Sequence, residues 1–136
     1  AETIMTVRSA DGMDELSTTS KNQIYMLKNN VITKMILDPQ EVGLQKCSIA
    51  DIQINSKEDA LKSFVNVLND TANKTKIEIT ALNAAGGLIV SDTADSFDDA
   101  VELALNTIHS GKAFDKLKNF VKNCGDIKKL EGVEKS

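Results

Sequence analysis

Tryptophan is absent from this 136-residue chain, and proline, histidine and tyrosine each occur once. With four phenylalanines as the only other aromatics, the core must be built from Ile, Leu, Val, Met and Ala. No apolar run approaches the roughly 20 residues that a membrane span needs. The opening Ala1-Glu2-Thr3 lacks the basic and then apolar pattern of a signal peptide, so a cytoplasmic location is expected. Cys47 and Cys124 are far apart and fit neither a CxxC motif nor a zinc-ligand spacing, which predicts two ordinary reduced thiols. No GxSxG elbow, P-loop or GxGxxG motif is present. His109 is the sole candidate for a catalytic His–acid pair. It stands two residues before a helix-stopping glycine, Gly111, where histidine commonly satisfies carbonyl groups.

What is present fits one α/β domain able to bury a core without disulfide or metal staples: 41% of residues are hydrophobic and 26% charged. The net charge of −4 argues against a general nucleic-acid binder, whose footprint is normally basic. The charge is uneven, however. From Gly111 onward seven Lys face four acids, a local +3 that leaves −7 on the remainder, and these lysines are read as the wet faces of terminal helices.

Along the chain, Thr3–Val7 is short, apolar and β-branched and predicts a buried strand ending in a turn at Asp11-Gly12. An acidic, hydroxyl-rich loop follows, Asp14 to Ser20. The runs Ile24–Leu27 and Val31–Leu37 flank Asn29-Asn30, residues that tolerate the positive φ of tight hairpin turns. Asp38-Pro39 predicts a capped turn ending near Gly43. About four helices are then expected. The first is capped by Ser56 with Asp59, and the second runs from about Lys76 to Val90, interrupted at Gly86-Gly87. The third is capped by Ser96 with Asp99, and the fourth carries Phe114, Leu117, Phe120 and Val121. The tail 126–136 is expected to fray. One strand and one hairpin make a thin sheet for four helices, so 1–136 is expected to be a single, partial domain.

The segment with most chemical content is Asp11-Gly12-Met13-Asp14-Glu15. Carboxylates just beyond a strand in a glycine-containing turn can converge on a hard cation, and Mg²⁺ prefers one or two carboxylates completed by waters and substrate phosphates. Loops at the carboxyl ends of parallel strands are also where α/β proteins place ligands. A solvated turn would show the same spacing. Gly86-Gly87 could let backbone approach a phosphate, but tight helix packing explains the pair as well.

Several segments together resemble the anthranilate phosphoribosyltransferase family. Asp11-Gly12-Met13-Asp14-Glu15-Leu16-Ser17 is similar to the family's D-G-L-D-E-I-S, and Pro39 to Leu44 to its P-x-x-x-G-L turn. Leu82-Asn83-Ala84-Ala85 matches its L-N-A-A, and Ala94-Asp95-Ser96, Val101 to Ala104 and Ile108 to Ala113 follow its C-terminal helices in order. The resemblance runs from about Thr3 to Lys118. It implies the C-terminal part of the phosphoribosyltransferase/nucleoside-phosphorylase-like α/β catalytic domain. The parent would be a glycosyltransferase of tryptophan biosynthesis that joins anthranilate to phosphoribosyl pyrophosphate, and a homodimer.

Carried over by residue, Asp14 and Glu15 match the adjacent acids that bind Mg²⁺. Ser17 and Thr18 are nearby candidates for substrate hydrogen bonds, and Asn83 falls at a structural position. No residue of this chain is assigned as catalytic. The departures are Arg8-Ser9, where the family usually has His-Gly, and Gly86-Gly87, where it reads Ala. The family's G-T-G-G-D loop, its anthranilate-binding residues and its dimerising helical domain belong to an N-terminal portion that has no counterpart here. The chain is therefore expected to be a fragment, inactive without that portion. A non-catalytic, nucleic-acid-binding relative of the same superfamily is the alternative, and a nucleoside phosphorylase ranks below both.

Overall fold

A computed structural model describes residues 2–135. Strands β1 (Thr3–Ser9), β2 (Asn22–Lys28) and β3 (Val31–Leu37) pair antiparallel in the order β1-β2-β3. The expected strand and hairpin thus form a single sheet. Asn29 and Asn30 connect β2 to β3 with φ of 52° and 61°. Two successive left-handed residues match the twist of the flanking strands, which is why the Asn-Asn pair closes the hairpin. The sheet is antiparallel throughout the described residues, so the expectation that its loops lie at carboxyl ends of parallel strands does not hold for it.

Register places Met5, Val7, Ile24, Met26, Met35 and Leu37 on one face of the sheet. The opposite face aligns Ile4, Leu27 and Ile32 across all three strands and adds Tyr25 and Ile36. That face is open: Ile32 is 72% and Ile36 52% exposed.

After the capped 3-10 turn Pro39–Val42, closed by Gly43 at φ 76°, the described residues form six helices. They are α1 (Ile49–Ile52), α2 (Lys57–Leu68), α3 (Lys74–Val90), α4 (Phe97–His109), α5 (Lys112–Cys124) and α6 (Ile127–Glu134). The Ser56 and Ser96 hydroxyls accept from the amides of Asp59 and Asp99, as their spacing predicts. Helix α3 crosses the inner sheet face and is apolar on more than one side, because α4 packs against it from behind. Leu82, Ala85 and Ile89 of α3 join Leu16, Ile24 and Leu37 on one side and Phe97, Ala100 and Val101 on the other.

Two expectations are corrected here. Gly86-Gly87 does not interrupt α3. Gly86 is buried, and a Cβ there would lie 3.5 Å from Leu16 Cδ1 and 3.6 Å from Met5 Sδ, so its lack of a side chain serves close packing. The tail expected to fray carries a helix as well. Its residues 127–134 form α6, whose Leu130 closes a second core with Val65 of α2 and Phe114 of α5. A charged sequence concealed an apolar face of Ile127, Leu130 and Val133 at helical spacing. Among the described residues no helix is long and apolar enough to cross a membrane.

Candidate functional site

The loop joining β1 to β2 carries the acidic motif, and its three carboxylates do different things. Gly12, at φ 94°, turns the chain back so that the Met13 amide reaches Ser9 Oγ at 3.0 Å and Asp11 Oδ1 at 3.2 Å. Asp11 faces into the loop. Its Oδ1 also accepts from the Ser9 hydroxyl, and its Oδ2 accepts from Ser17 Oγ at 2.8 Å and from the Thr19 hydroxyl. Desolvation pushes the Asp11 carboxyl up, but the hydroxyls of Ser9, Thr19 and Ser17 and the Met13 amide outweigh it. The group is held well below the usual carboxylate range.

Asp14 and Glu15 are different: both are exposed, and neither has a hydrogen-bonding or ion-pair partner among the described residues. Immediately after them the backbone is gripped from two directions. Asn83 of α3 accepts from the Leu16 amide at 3.0 Å and donates to the Leu16 carbonyl at 2.7 Å. Asn22 of β2 does the same for Ser17, at 2.7 Å and 2.9 Å. Each amide side chain supplies one donor and one acceptor, so it satisfies both polar groups of a buried residue as a neighbouring strand would. The Leu16 side chain meanwhile plugs the main core, 2% exposed. The acidic pair therefore stands between an internally tied turn and a clamped backbone.

Ser17 and Thr18 are both fully buried. Ser17 spends its hydroxyl on Asp11 and Thr19, and Thr18 Oγ1 lies 3.1 Å from Cys47 Sγ. Neither presents a free donor to solvent. Leu16, Ser17 and Thr18 are buried in succession, which motif matching alone does not reveal. Cys47 and Cys124 are both free thiols. His109 is tied to another part of the molecule: its Nδ1 lies 2.8 Å from Asp70 Oδ1, joining the end of α4 to the turn after α2 rather than satisfying helix carbonyls. Sequence reasoning marks Asn83 as structural but gives no role to Asn22 or to Asp11 apart from the other acids. The Asp-Gly-Met turn, with an acid two residues before an amide it can accept from, is the available signal.

Among the described residues no three His, Cys, Asp or Glu side chains are grouped to hold a metal unaided. Two adjacent, unpaired carboxylates nevertheless fit Mg²⁺, which takes few protein ligands and draws the rest from water and phosphate.

Residues 1–114 match the glycosyl transferase family, a/b domain. The chain belongs to this family. The match ends in the first turn of α5, so most of α5 and all of α6 lie beyond it. An anthranilate phosphoribosyltransferase of Nitrosopumilus maritimus (strain SCM1) is 57% identical over 133 residues, which is 98% of this chain and 38% of that protein. The crystal structure of the Thermus thermophilus enzyme of that name superposes with a TM-score of 0.79 at 22% identity, covering 88% of this chain and 35% of the other. The Saccharomyces cerevisiae enzyme in complex with PRPP and Mg superposes with a TM-score of 0.73, also at 22% identity, over 87% of this chain and 34% of its own. These two likenesses establish the family fold. The chain spans little more than a third of the length of the relatives it matches.

Proposed function

We propose that this chain is the C-terminal portion of an enzyme that transfers a phosphoribosyl group from phosphoribosyl pyrophosphate to anthranilate, and that it contributes the acidic half of a Mg²⁺ site. The observation that carries this reading is the division of labour in the loop. Asp11 is consumed internally, while Asp14 and Glu15 stand exposed and unpaired on a clamped segment. The relatives' names and the yeast complex with PRPP and Mg supply the substrate class. When bound, the cation neutralises charge on the pyrophosphate as the anomeric carbon–oxygen bond breaks. Asp14 and Glu15 would hold it from one side. Leu16 and Asn83 keep those carboxylates at a fixed distance from the core, so no loop reorganisation is needed when substrate arrives.

The other half of the site would come from residues outside this third of the relatives' length, and the open sheet face would then receive a neighbour. An apolar row of Ile4, Leu27 and Ile32 is unusual for a surface unless something covers it. The test is the fluorescence decrease as anthranilate is consumed, with the chain alone and with the N-terminal portion of the Nitrosopumilus relative. Activity is expected only from the pair, and Asp14→Asn with Glu15→Gln should raise the Mg²⁺ and phosphoribosyl pyrophosphate requirements of that pair. Turnover by the chain alone would overturn the half-site reading. Loss of folding in the double variant would show that the acids are structural.

A further inference from the structure

The loop's first acid and the serine before it have no assigned part in this scheme, and their geometry gives them one. Ser9 is buried at the end of β1. In this chain its hydroxyl donates to Asp11, and its oxygen accepts from the Met13 amide at 3.0 Å. A glycine could make neither contact. Asp11 is exposed as a residue, yet its carboxylate takes the hydroxyls of Ser9, Ser17 and Thr19 and the Met13 amide. Those donors come from both ends of the loop. Ser9 belongs to β1, Met13 directly precedes Asp14, and Ser17 and Thr19 lie on the far side of Glu15. The carboxylate therefore ties together the two segments between which Asp14 and Glu15 project. Its oxygens are occupied by hydrogen-bond donors, so it is not free to serve as a third cation ligand.

We infer that Asp11 is a positioning residue which, reinforced by Ser9, fixes the spacing of Asp14 and Glu15 and thereby sets cation affinity without touching the cation. This rests on the Mg²⁺ reading above and adds to it a residue that acts through its neighbours. A loop without the tie must be ordered by the cation itself, so the affinity of the acidic pair falls by the free energy of that ordering.

The experiment uses Mn²⁺ alone as the probe, with its affinity read by water-proton relaxation and the loop read by amide NMR of residues 12–19. Asp11→Asn, nearly isosteric but uncharged, is expected to weaken Mn²⁺ binding about tenfold or more. The Met13, Asp14 and Glu15 amides should also move toward random-coil shifts before any metal is added. Ser9→Gly is expected to produce a smaller change in the same direction. Unchanged Mn²⁺ affinity and unchanged Asp14 and Glu15 amides in Asp11→Asn would overturn the inference. Asp14→Asn with Glu15→Gln separates it from the functional reading. If that variant loses Mn²⁺ while Asp11→Asn keeps it, only the positioning role falls. If that variant keeps Mn²⁺, the metal reading falls and the positioning role with it. Should Asp11→Asn not fold, Ser17→Ala and Thr19→Val each remove one donor while leaving Asp11 in place, and Mn²⁺ affinities equal to the unaltered chain's would again overturn the inference.

Discussion

Replacing Asn83 by alanine removes the clamp on Leu16 while leaving α3 intact. The side chain makes two bonds to one buried residue, at 3.0 Å and 2.7 Å. Each contributes about 1 kcal/mol net, and orphaning a buried amide or carbonyl costs about 1–3 kcal/mol more where water cannot replace the partner. Asn83 is itself only partly buried, so water recovers some of that. Alanine regains about 0.6 kcal/mol of helix propensity within α3. The expected net loss is about 2 kcal/mol, which for a chain of this size lowers Tm by about 8 °C. Urea unfolding gives the free energy, and hydrogen exchange at the Leu16 amide reports whether the clamp itself opened. Asn83→Asp keeps the acceptor for the Leu16 amide but cannot donate to its carbonyl, so it should fall between the two. A loss below about 0.5 kcal/mol, with Leu16 exchange unchanged, would refute the claim that this amide holds the segment after the acidic pair.

Other substitutions test separate parts of the fold. Gly87→Ala places a Cβ in open space on an uninterrupted helix, so it should stabilise the chain by about 1 kcal/mol, read as a rise in Tm. A fall would mean that Gly87 has a backbone role. Leu130→Ala empties a buried position between α2, α5 and α6 and should cost about 2–3 kcal/mol, with faster amide exchange through Ile127–Glu134. Unchanged exchange there would restore the frayed tail. For pH, the folded Asp11 carboxyl lies below its unfolded value, so its contribution is complete above the unfolded pKa, near 4, and is lost as pH falls through the folded value. Urea midpoints between about pH 4 and pH 2 should therefore decline more steeply for the unaltered chain than for Asp11→Asn. Equal slopes would remove the Asp11 carboxylate from the loop's stability.

Much of this architecture is legible locally. Asn29-Asn30, Ser56 with Asp59 and Ser96 with Asp99 each carry a requirement that neighbouring residues alone settle, a positive φ or an unsatisfied amide, and the structure meets each where the sequence places it. What local reading misses depends on partners distant in sequence. Gly86 looks like a helix breaker until Met5 and Leu16 are seen against it, and α6 looks like a charged tail until Val65 is there to receive Leu130. The candidate site divides in the same way. The acidic motif is visible as a string of letters, but Asp11, Asp14 and Glu15 look alike in it. Only the folded loop separates an acid that organises from two that face solvent, because the donors to Asp11 include residues six and eight positions away.

The proposed half-site and the open sheet face would share one explanation. Mg²⁺ takes near-octahedral oxygen coordination, so two carboxylates leave most positions to water and phosphate. Pyrophosphate must also meet cationic or amide donors if its departure is to be assisted. The loop itself supplies no cation between Asp11 and Ser20, and the Lys21 amine that follows is 3.7 Å from Asp38. In the proposed site the acidic pair would meet an anionic substrate only through the cation, and the remaining phosphate charge would need donors from elsewhere. The sheet carries the same asymmetry: one face packs Met5, Val7 and Met26 into the core with α3, while the other aligns Ile4, Leu27 and Ile32. A chain selected to act alone would be expected to place polar side chains there, as antiparallel sheets with one wet face do. Under the proposed function, one neighbour would supply phosphate-binding donors to the unpaired acids and an apolar surface to the exposed isoleucines together. The two thirds of the relatives' length that this chain does not span could supply both.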